Sequence, residues 1–436
     1  MPSHSPLSQP VIRPGQHILI ISHTFPPYRG IGGRRWAKFA KALARKGHVV
    51  HVIHSAGAHD LKGSFWTDDI AHPGIMVHPL PQRYPTVLFK RPLNSLFEKL
   101  TYRCWMKVMP LLVKGNWYDK SVFWEDQLLA ASRKLITAHG IRHVIVSGAP
   151  FRLMAHVLKL KEEYPGLNLI ADFRDPWTWG HVYGHGGMGK AREAYEQQLE
   201  SSVIRGFDRL LSPAPAIVEH LRNTYGGDPA RYVHLPHAID PEEIGTATER
   251  MENDTFRMIY AGSLYGAQEA EAYFDALLKA FQRTRELHPE AFARSELDLY
   301  ITGHDTSAYL AKVQAAGLQH TIHFHPPLPA KDLFPRIAAA DLVLIFIPTT
   351  NKDFLGTKFT EIFYLRRPIV HIGVEGLVSE TIVKNKLGVS IAVDRLRDEL
   401  PALIRGERNV EIDPHYDLSG HLLDHITDRL VDEVLR

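Results

Sequence analysis

The chain has 436 residues, enough for two or three domains, and with 44% hydrophobic and 23% charged residues its composition is that of a globular protein. This excludes a chain that is disordered throughout, and no apolar run reaches the length of a membrane-spanning helix. The net charge of +3 is too small to indicate a nucleic-acid partner, and no nucleic-acid-binding motif occurs. The single cysteine, Cys104, excludes an intramolecular disulfide and favours a reducing, cytoplasmic location.

Apolar runs of strand length alternate with helical patterns along the chain. Residues 17–22 form the first predicted strand, a Gly-rich loop leads into a helical pattern over 34–47, and a strand at 49–53 completes a βαβ unit. Further strands are predicted at 143–147, 167–172, 209–212, 233–235, 257–261, 297–302, 320–325, 342–347 and 369–372. This rhythm predicts an α/β fold with two Rossmann-like, doubly wound domains.

Composition also predicts where the domains begin and end. Residues 1–16 lack the apolar stretch of a signal peptide and are expected to be a flexible tail. The first domain is predicted over 17–240 and the second over 241–415, with the polar, acidic stretch 241–254 as the linker. Residues 416–436 are predicted to form a C-terminal helix that is free to pack back on the first domain.

Two Gly-containing loops follow predicted strands, where parallel sheets bind ligands. Gly32 and Gly33 follow the first strand, and Gly262 and Ser263 follow the first strand of the second domain. Their backbone N–H groups are candidates to bind phosphate. The spacing in the first loop is not the GxGxxG of dinucleotide sites, so a nicotinamide cofactor is not favoured, and a purely structural turn is the alternative there. The signal of the second loop is weak by itself.

A third loop, after the apolar run 342–347, carries the strongest signal. Gly356 and Thr357 precede a helical pattern, and Thr357 is predicted to be its N-cap. Lys358 and Glu361 are three residues apart, so they are expected to share the face that points away from the core. A cation at a helix N-terminus suits a diphosphate, and a carboxylate one turn later suits the two hydroxyls of a ribose. The alternative is a solvated ion pair.

Patterns typical of metal sites are missing. The chain has no Asp-x-Asp, no CxxC and no GxxxxGK[ST], so no metal site is predicted. Its 26 histidines are scattered along the sequence. His323 and His325 alternate on a predicted strand, but no carboxylate is expected near them, so they are interpreted as structural.

Several motifs together carry a family resemblance: SHTFPPYRGIGG, ADFRDPW, LPHAID, YAGSLYG, ITGHD and DFLGTKFTEIFYLRRPIV. With them the chain resembles the retaining glycosyltransferases of family 4 over 17–436. The resemblance implies the GT-B fold, in which two Rossmann-like domains face a central cleft. It also implies a nucleoside diphosphate sugar bound by the C-terminal domain, an acceptor bound by the N-terminal domain, and no further cofactor.

The resemblance assigns roles to individual residues. Asp353 takes the first place of the family's Glu-x7-Glu pair, at the donor sugar, and Glu361 takes the second, at the ribose. Many relatives have Gly-Arg where this chain has Gly262-Ser263, so Lys358 is expected to carry more of the diphosphate charge. A loop that holds a catalytic histidine in relatives reads Ser-Gly-Ala-Pro over 147–150, so the catalytic candidates that replace it are the two residues Arg174 and Asp175.

The function implied is a metal-independent, retaining, hexosyltransferase-like enzyme. It would move a sugar to an acceptor hydroxyl, on a glycan or a lipid-linked acceptor, in bacterial polysaccharide or cell-envelope synthesis. Two alternatives stay open: a nucleotide-sugar epimerase or hydrolase on the same fold, and a non-catalytic protein that binds nucleotide sugars.

The segment 83–120 has an unusual charge balance. It holds eight Lys and Arg residues against two acidic ones. A helix is predicted over 96–109, with apolar residues on one face and basic ones beside them: Phe97, Leu100, Cys104 and Val108, and Lys99, Arg103 and Lys107. This predicts peripheral binding to the anionic inner face of the cell membrane. The alternative is that the apolar face packs on the sheet of the first domain.

Overall fold

The computed structural model describes residues 15–57, 63–90, 92–179, 188–244, 254–264, 267–303, 305–408, 410 and 412–436. Most of the predicted tail, most of the predicted linker and Arg91 of the segment 83–120 lie outside these ranges. The chain divides into two compact units, Met1–Pro236 together with Ile426–Arg436, and His237–His425.

The first unit is built on a seven-stranded parallel sheet with the strand order β3-β2-β1-β4-β5-β6-β7. The strands are β1 (His17–Ser22), β2 (Val49–Ser55), β3 (Ile75–Leu80), β4 (His143–Gly148), β5 (Asn168–Phe173), β6 (Arg209–Ser212) and β7 (Tyr232–His234). The helices are α1 (Arg34–Arg45), α2 (Leu96–Leu112), α3 (Glu125–His139), α4 (Arg152–Glu163), α5 (Lys190–Gly206) and α6 (Pro215–Tyr225). Strands β1 and β4 are buried on both faces, which explains their continuous apolar sequences.

The second unit has a six-stranded parallel sheet with the order β10-β9-β8-β11-β12-β13. The strands are β8 (Phe256–Gly262), β9 (Ser295–Ile301), β10 (Ile322–Phe324), β11 (Leu342–Ile347), β12 (Ile369–Gly373) and β13 (Gly388–Ile391). The helices are α7 (Pro241–Ile244), α8 (Ala267–Leu287), α9 (Pro289–Ala293), α10 (Ser307–Ala315), α11 (Ala330–Ala339), α12 (Thr357–Tyr364), α13 (Leu377–Lys384) and α14 (Leu396–Ile404). The predicted fold class, two Rossmann-like α/β domains, is confirmed.

The chain ends in α15 (Leu423–Arg429) and a π-helical turn, Leu430–Val434. The last eleven residues, Ile426–Arg436, belong to the first unit. There, the Asn168 side-chain amide donates to the carbonyl of Val434 at 2.8 Å. Among the helices that the structure describes, none is both long and apolar enough to cross a membrane.

A buried carboxylate ties several elements of the first unit together at the ends of its central strands. Asp172 near the end of β5 is fully buried, and its Oδ1 lies 3.3 Å from Nε of buried Arg35 on α1. Its Oδ2 accepts from Trp36 Nε1 at 2.7 Å and from the Ser147 hydroxyl at 3.0 Å. Arg35 also donates to the carbonyls of Leu235 and Pro236, at 2.7 and 2.9 Å. The network joins α1, β4, β5 and the segment after β7.

We expect Asp172→Ala to destabilise the first unit strongly, because it leaves the Arg35 guanidinium buried without its carboxylate. Removing one member of a buried ion pair costs about 3–5 kcal/mol. All seven tryptophans lie in this unit, so urea unfolding followed by tryptophan fluorescence reports its free energy of unfolding selectively. The control is Glu163→Ala, which breaks an exposed pair with Arg133 and is expected to leave the midpoint almost unchanged. Equal midpoint shifts in both variants would contradict the role given to Asp172.

Candidate functional site

In each sheet the strand order reverses direction once, between β1 and β4 and between β8 and β11. We call each of these positions a switch point. The strands on either side of it lead to loops that diverge, so a crevice opens at the carboxyl ends of the strands, and ligands of doubly wound sheets bind there. Most of the residues predicted to bind a ligand lie in the loops at the two switch points.

At the first switch point, Arg174 binds the backbone of two loops. Its guanidinium donates to the carbonyls of Gly32 at 2.9 Å, Gly148 at 3.0 Å and Ala149 at 2.8 Å. Three directed bonds to main-chain oxygens make Arg174 a clamp between the loops that follow β1 and β4. Asp175, the other predicted catalytic residue, is half-buried at the next position.

Gly32 and Gly33 form a tight turn before α1. The Gly33 N–H donates to the Gly30 carbonyl at 3.2 Å, so this predicted phosphate donor already has an acceptor. A Cβ on Gly33 would lie 2.7 Å from the carbonyl oxygen of Thr24, and one on Gly32 would lie 2.8 Å from Arg174 Nη1. Close approach of neighbouring groups therefore accounts for both glycines. Their role in phosphate binding stays a prediction.

At the second switch point, the structure brings Gly262 and Lys358 together. Gly262 ends β8 with φ +148°, and a Cβ there would lie 2.6 Å from Lys358 Nζ. The glycine thus makes room for the ammonium group at the end of β8. Ser263 follows, with its hydroxyl 3.0 Å from that of Thr302.

The Lys358 side chain is half-buried, and its ammonium group lies near two aromatic rings. Its Nζ is 5.3 Å from the ring centroid of Tyr260 and 5.7 Å from that of Phe359. The described residues provide it with no hydrogen bond and no ion pair. Burial without a compensating anion lowers the pKa of Lys358 to about 8. The group is still mostly protonated at neutral pH, so an anionic ligand at this position would be stabilised by its positive charge.

Two expectations about α12 are wrong. Gly356, not Thr357, occupies the N-cap position, and the helix begins at Thr357. Glu361 was expected on an exposed face with Lys358, but only 3% of its surface is accessible. The reason is that α12 is covered on most sides: all residues from Phe359 to Phe363 are buried. A solvated Lys–Glu surface pair is therefore excluded.

Asp353, the predicted contact of the donor sugar, lies on the exposed loop between β11 and α12. Its Oδ1 accepts from the N–H of Leu377 at 3.3 Å, at the start of α13, and Lys352 Nζ lies 3.9 Å from its Oδ2. The carboxylate thus links this loop to the next helix. The structure gives no contact between Asp353 and Lys358.

One expectation about His323 and His325 is wrong, namely that no carboxylate lies near them. His325 Nε2 lies 2.5 Å from Asp298 Oδ1, in the neighbouring strand β9. Because β9 and β10 are paired in parallel, residues distant in sequence become neighbours. Both strands are predicted from the sequence, and pairing them side by side would have brought Asp298 close to the two histidines.

Helix α2 exposes a basic and apolar surface. Phe97, Leu100 and Leu111 are 76%, 63% and 85% exposed, respectively, while the opposite side, at Met109, is buried. Also exposed on α2 are Leu96, Lys99, Arg103, Cys104, Lys107 and Leu112. The alternative that Phe97 and Leu100 pack on the sheet is therefore wrong. We call these nine exposed residues the α2 surface.

Comparison with known proteins finds a family model that matches part of the chain. Residues 32–238 match a family model described as the glycosyl transferase 4-like domain. D-inositol 3-phosphate glycosyltransferase from Kineococcus radiotolerans is 25% identical over 194 residues, which are 41% of this chain and 42% of that relative. The matched part of the chain thus spans about two fifths of that relative's length.

Two solved structures resemble the chain over nearly its whole length. Sucrose-phosphate synthase from Thermosynechococcus elongatus has a TM-score of 0.58 at 12% identity, with 96% of this chain and 95% of that chain covered. UDP-GlcNAc 2-epimerase from Neisseria meningitidis, solved bound to UDP-GlcNAc, has a TM-score of 0.56 at 9% identity, with 96% and 100% covered. Identities this low show the fold alone. The predicted resemblance is confirmed: the chain has the GT-B fold, and its residues 32–238 match the glycosyl transferase 4-like domain.

Proposed function

We propose that the protein is a glycosyltransferase that takes a sugar from a nucleoside diphosphate sugar and transfers it to an acceptor hydroxyl. The observation that carries this proposal is the half-buried ammonium group of Lys358 at the switch point of the second unit, for which the described residues supply no anion. A diphosphate there would supply the missing anion. The glycosyl transferase 4-like match over 32–238 supports the choice of reaction.

Each proposed contact has a chemical reason. The leaving diphosphate gains charge as the glycosidic bond breaks, and Lys358 with the backbone at Gly262 and Ser263 would stabilise it. Glu361, one turn into α12, would accept hydrogen bonds from the ribose hydroxyls, and Asp353 would contact the sugar. Retention of the anomeric configuration and a role in polysaccharide or cell-envelope synthesis rest on the family resemblance.

A nucleotide-sugar epimerase or hydrolase is the second candidate, favoured by the similar fold of the Neisseria epimerase. One assay separates the candidates: incubation with a panel of nucleotide sugars, with and without lipid-linked and glycan acceptors, followed by mass spectrometry of the products. Transfer only when an acceptor is present supports the proposal. A changed or hydrolysed donor without acceptor supports the second candidate, and binding without turnover supports a non-catalytic protein.

Donor affinity is expected to fall as the pH rises through about 8, because Lys358 loses its charge there. Above that pH the affinity should decline by up to about tenfold per pH unit, as linkage to a single proton requires. Lys358→Met should lower the affinity roughly ten- to hundredfold at neutral pH, the equivalent of a charge-assisted hydrogen bond of about 1.5–3 kcal/mol, and should remove the pH dependence. Calorimetry with the tightest-binding nucleotide sugar measures both.

The control for this experiment is Lys331→Met, at an exposed lysine of the same unit. It should keep both the affinity and its pH dependence. Glu361→Gln keeps the size of this buried side chain but removes its charge, and it should weaken binding at all pH values. An unchanged affinity in Lys358→Met would contradict the proposed donor site.

Transfer is expected to persist in excess EDTA. The proposal assigns the charge of the leaving group to Lys358 and to backbone N–H groups, and the sequence has no Asp-x-Asp to hold a metal on the diphosphate. Initial rates before and after chelation measure this. A loss of activity that Mg²⁺ or Mn²⁺ restores would show that the donor site uses a metal ion.

We further propose that the α2 surface binds anionic lipid, which would place the protein at the inner face of the cell membrane. The exposed apolar side chains suit the interfacial layer, and Lys99, Arg103 and Lys107 complement its charge. Each basic residue near an anionic surface contributes about 1 kcal/mol.

Co-sedimentation with anionic vesicles is expected at low salt and should weaken at high salt. Replacing Lys99, Arg103 and Lys107 by Glu should abolish it, because the surface then repels the lipid. The matched control replaces three exposed basic residues of the second unit, Lys331, Lys384 and Arg397, by Glu and should sediment like the wild type. Equal binding of both triple variants, or binding to neutral vesicles alone, would disprove this assignment.

A further inference from the structure

Four histidines of the first unit lie on one face of its sheet, although they come from four elements. His17 begins β1, His51 lies in β2, His78 lies in β3, and His139 ends α3. In the parallel register His51 is opposite Leu19, and His78 is opposite Ile53. Because alternate residues of a strand share a face, the three strand histidines point to the same side, in a diagonal row.

Three of the four rings converge on one point. His17 Nδ1 lies 3.0 Å from His51 Nε2, and the rings of His51 and His139 have centroids 4.4 Å apart. One ring nitrogen from each of His17, His51 and His139 lies within 4.8 Å of the other two. His51 is fully buried, whereas His139 is exposed, so the cluster is open to solvent on the side of α3.

We propose that His17, His51 and His139 bind a divalent transition-metal ion of the Zn²⁺ type, with His78 supporting His51. Three imidazole nitrogens with water in the remaining position is an established coordination for Zn²⁺. Zn–N bonds of about 2.0–2.1 Å place tetrahedral ligand atoms roughly 3.3 Å apart, within the spread of distances in the cluster.

His78 fits the role of an outer partner. Its Nε2 lies 3.2 Å from His51 Nδ1, and the other nitrogen of His51 faces His17. A metal-bound histidine usually uses its second ring nitrogen in such a hydrogen bond, which fixes its tautomer and orientation.

A simpler arrangement competes with the metal site. His17, His51 and His78 can form a chain of hydrogen bonds without any ion. This series of hydrogen bonds does not include His139. Among the described residues, His139 makes contacts between rings, with His17 and His51, but no hydrogen bond. The exposed His139 therefore distinguishes the two arrangements, and its replacement should not disturb the fold.

The position of the cluster indicates what the ion would do. His17 is the first residue of β1, so the cluster lies towards the amino ends of the strands, whereas ligands of such sheets bind at the carboxyl ends. An ion there would join β1, β2 and α3. We therefore assign it a stabilising role, independent of the proposed transfer reaction.

The test uses full-length protein that has been treated with chelator and dialysed, with ZnCl₂ as the titrant in calorimetry. The wild type is expected to bind one ion per chain at this site, and its melting temperature should rise with zinc. Cobalt chloride, a spectroscopic substitute, should give the visible absorption of a tetrahedral complex. His139→Ala should lose all three signals, and His78→Ala should bind zinc about 10–100-fold more weakly.

The matched control is His320→Ala, an exposed histidine of the second unit, which should bind zinc and cobalt like the wild type. Two outcomes would overturn the proposal. One is a wild-type protein without saturable one-to-one binding, which would leave only the hydrogen-bonded chain. The other is equal binding by His139→Ala and His320→Ala, which would place the ion elsewhere.

Discussion

Taking a charge out of water is costly unless the protein supplies partners, and the first unit supplies them where its central strands end. Asp172 is fully buried, but it accepts hydrogen bonds from Trp36 and Ser147 and forms an ion pair with Arg35. Arg35 in turn donates hydrogen bonds to two carbonyls after β7. Arg174 binds three more carbonyls nearby. The charged side chains at this switch point thus have partners within the first unit, and these contacts hold the loops in place.

The six strands of the second sheet have the same order as the corresponding strands of the first, but the cation at its switch point has different surroundings. Lys358 lies at the corresponding switch point between β8 and β11, next to a glycine and over two aromatic rings, with no anion among the described residues. The pKa of Lys358 is lowered because burial disfavours the charged form and no neighbouring anion among the described residues offsets this effect. The two sheets share the order of six strands but differ at the switch point: the charged groups of the first bind other protein groups, whereas the cation of the second would bind the proposed ligand.

The sequence predicted best what depends on short stretches of chain. The bounds of β11, 342–347, were correct because a strand buried on both faces is a continuous apolar run. Edge strand β3 was missed, since its exposed residues and Pro79 leave no such run. The burial of Glu361 depends on what packs around α12, and the histidine cluster depends on the register of three strands. Neither could be predicted from local patterns.

The arrangement at Lys358 also bears on catalysis in the proposed reaction. A group that must first break an ion pair loses part of its stabilising energy to that rearrangement, whereas a preorganised group does not. Within the part of the chain that the structure describes, Lys358 has no ion pair to break, and Gly262 leaves room beside its ammonium group. In the proposed reaction, a bound diphosphate would recover the energy that burial of the ammonium group costs. More would be recovered as the bond between sugar and diphosphate breaks, because the charge on the diphosphate is then greatest. The interaction with Lys358 would therefore favour the transition state over the bound donor.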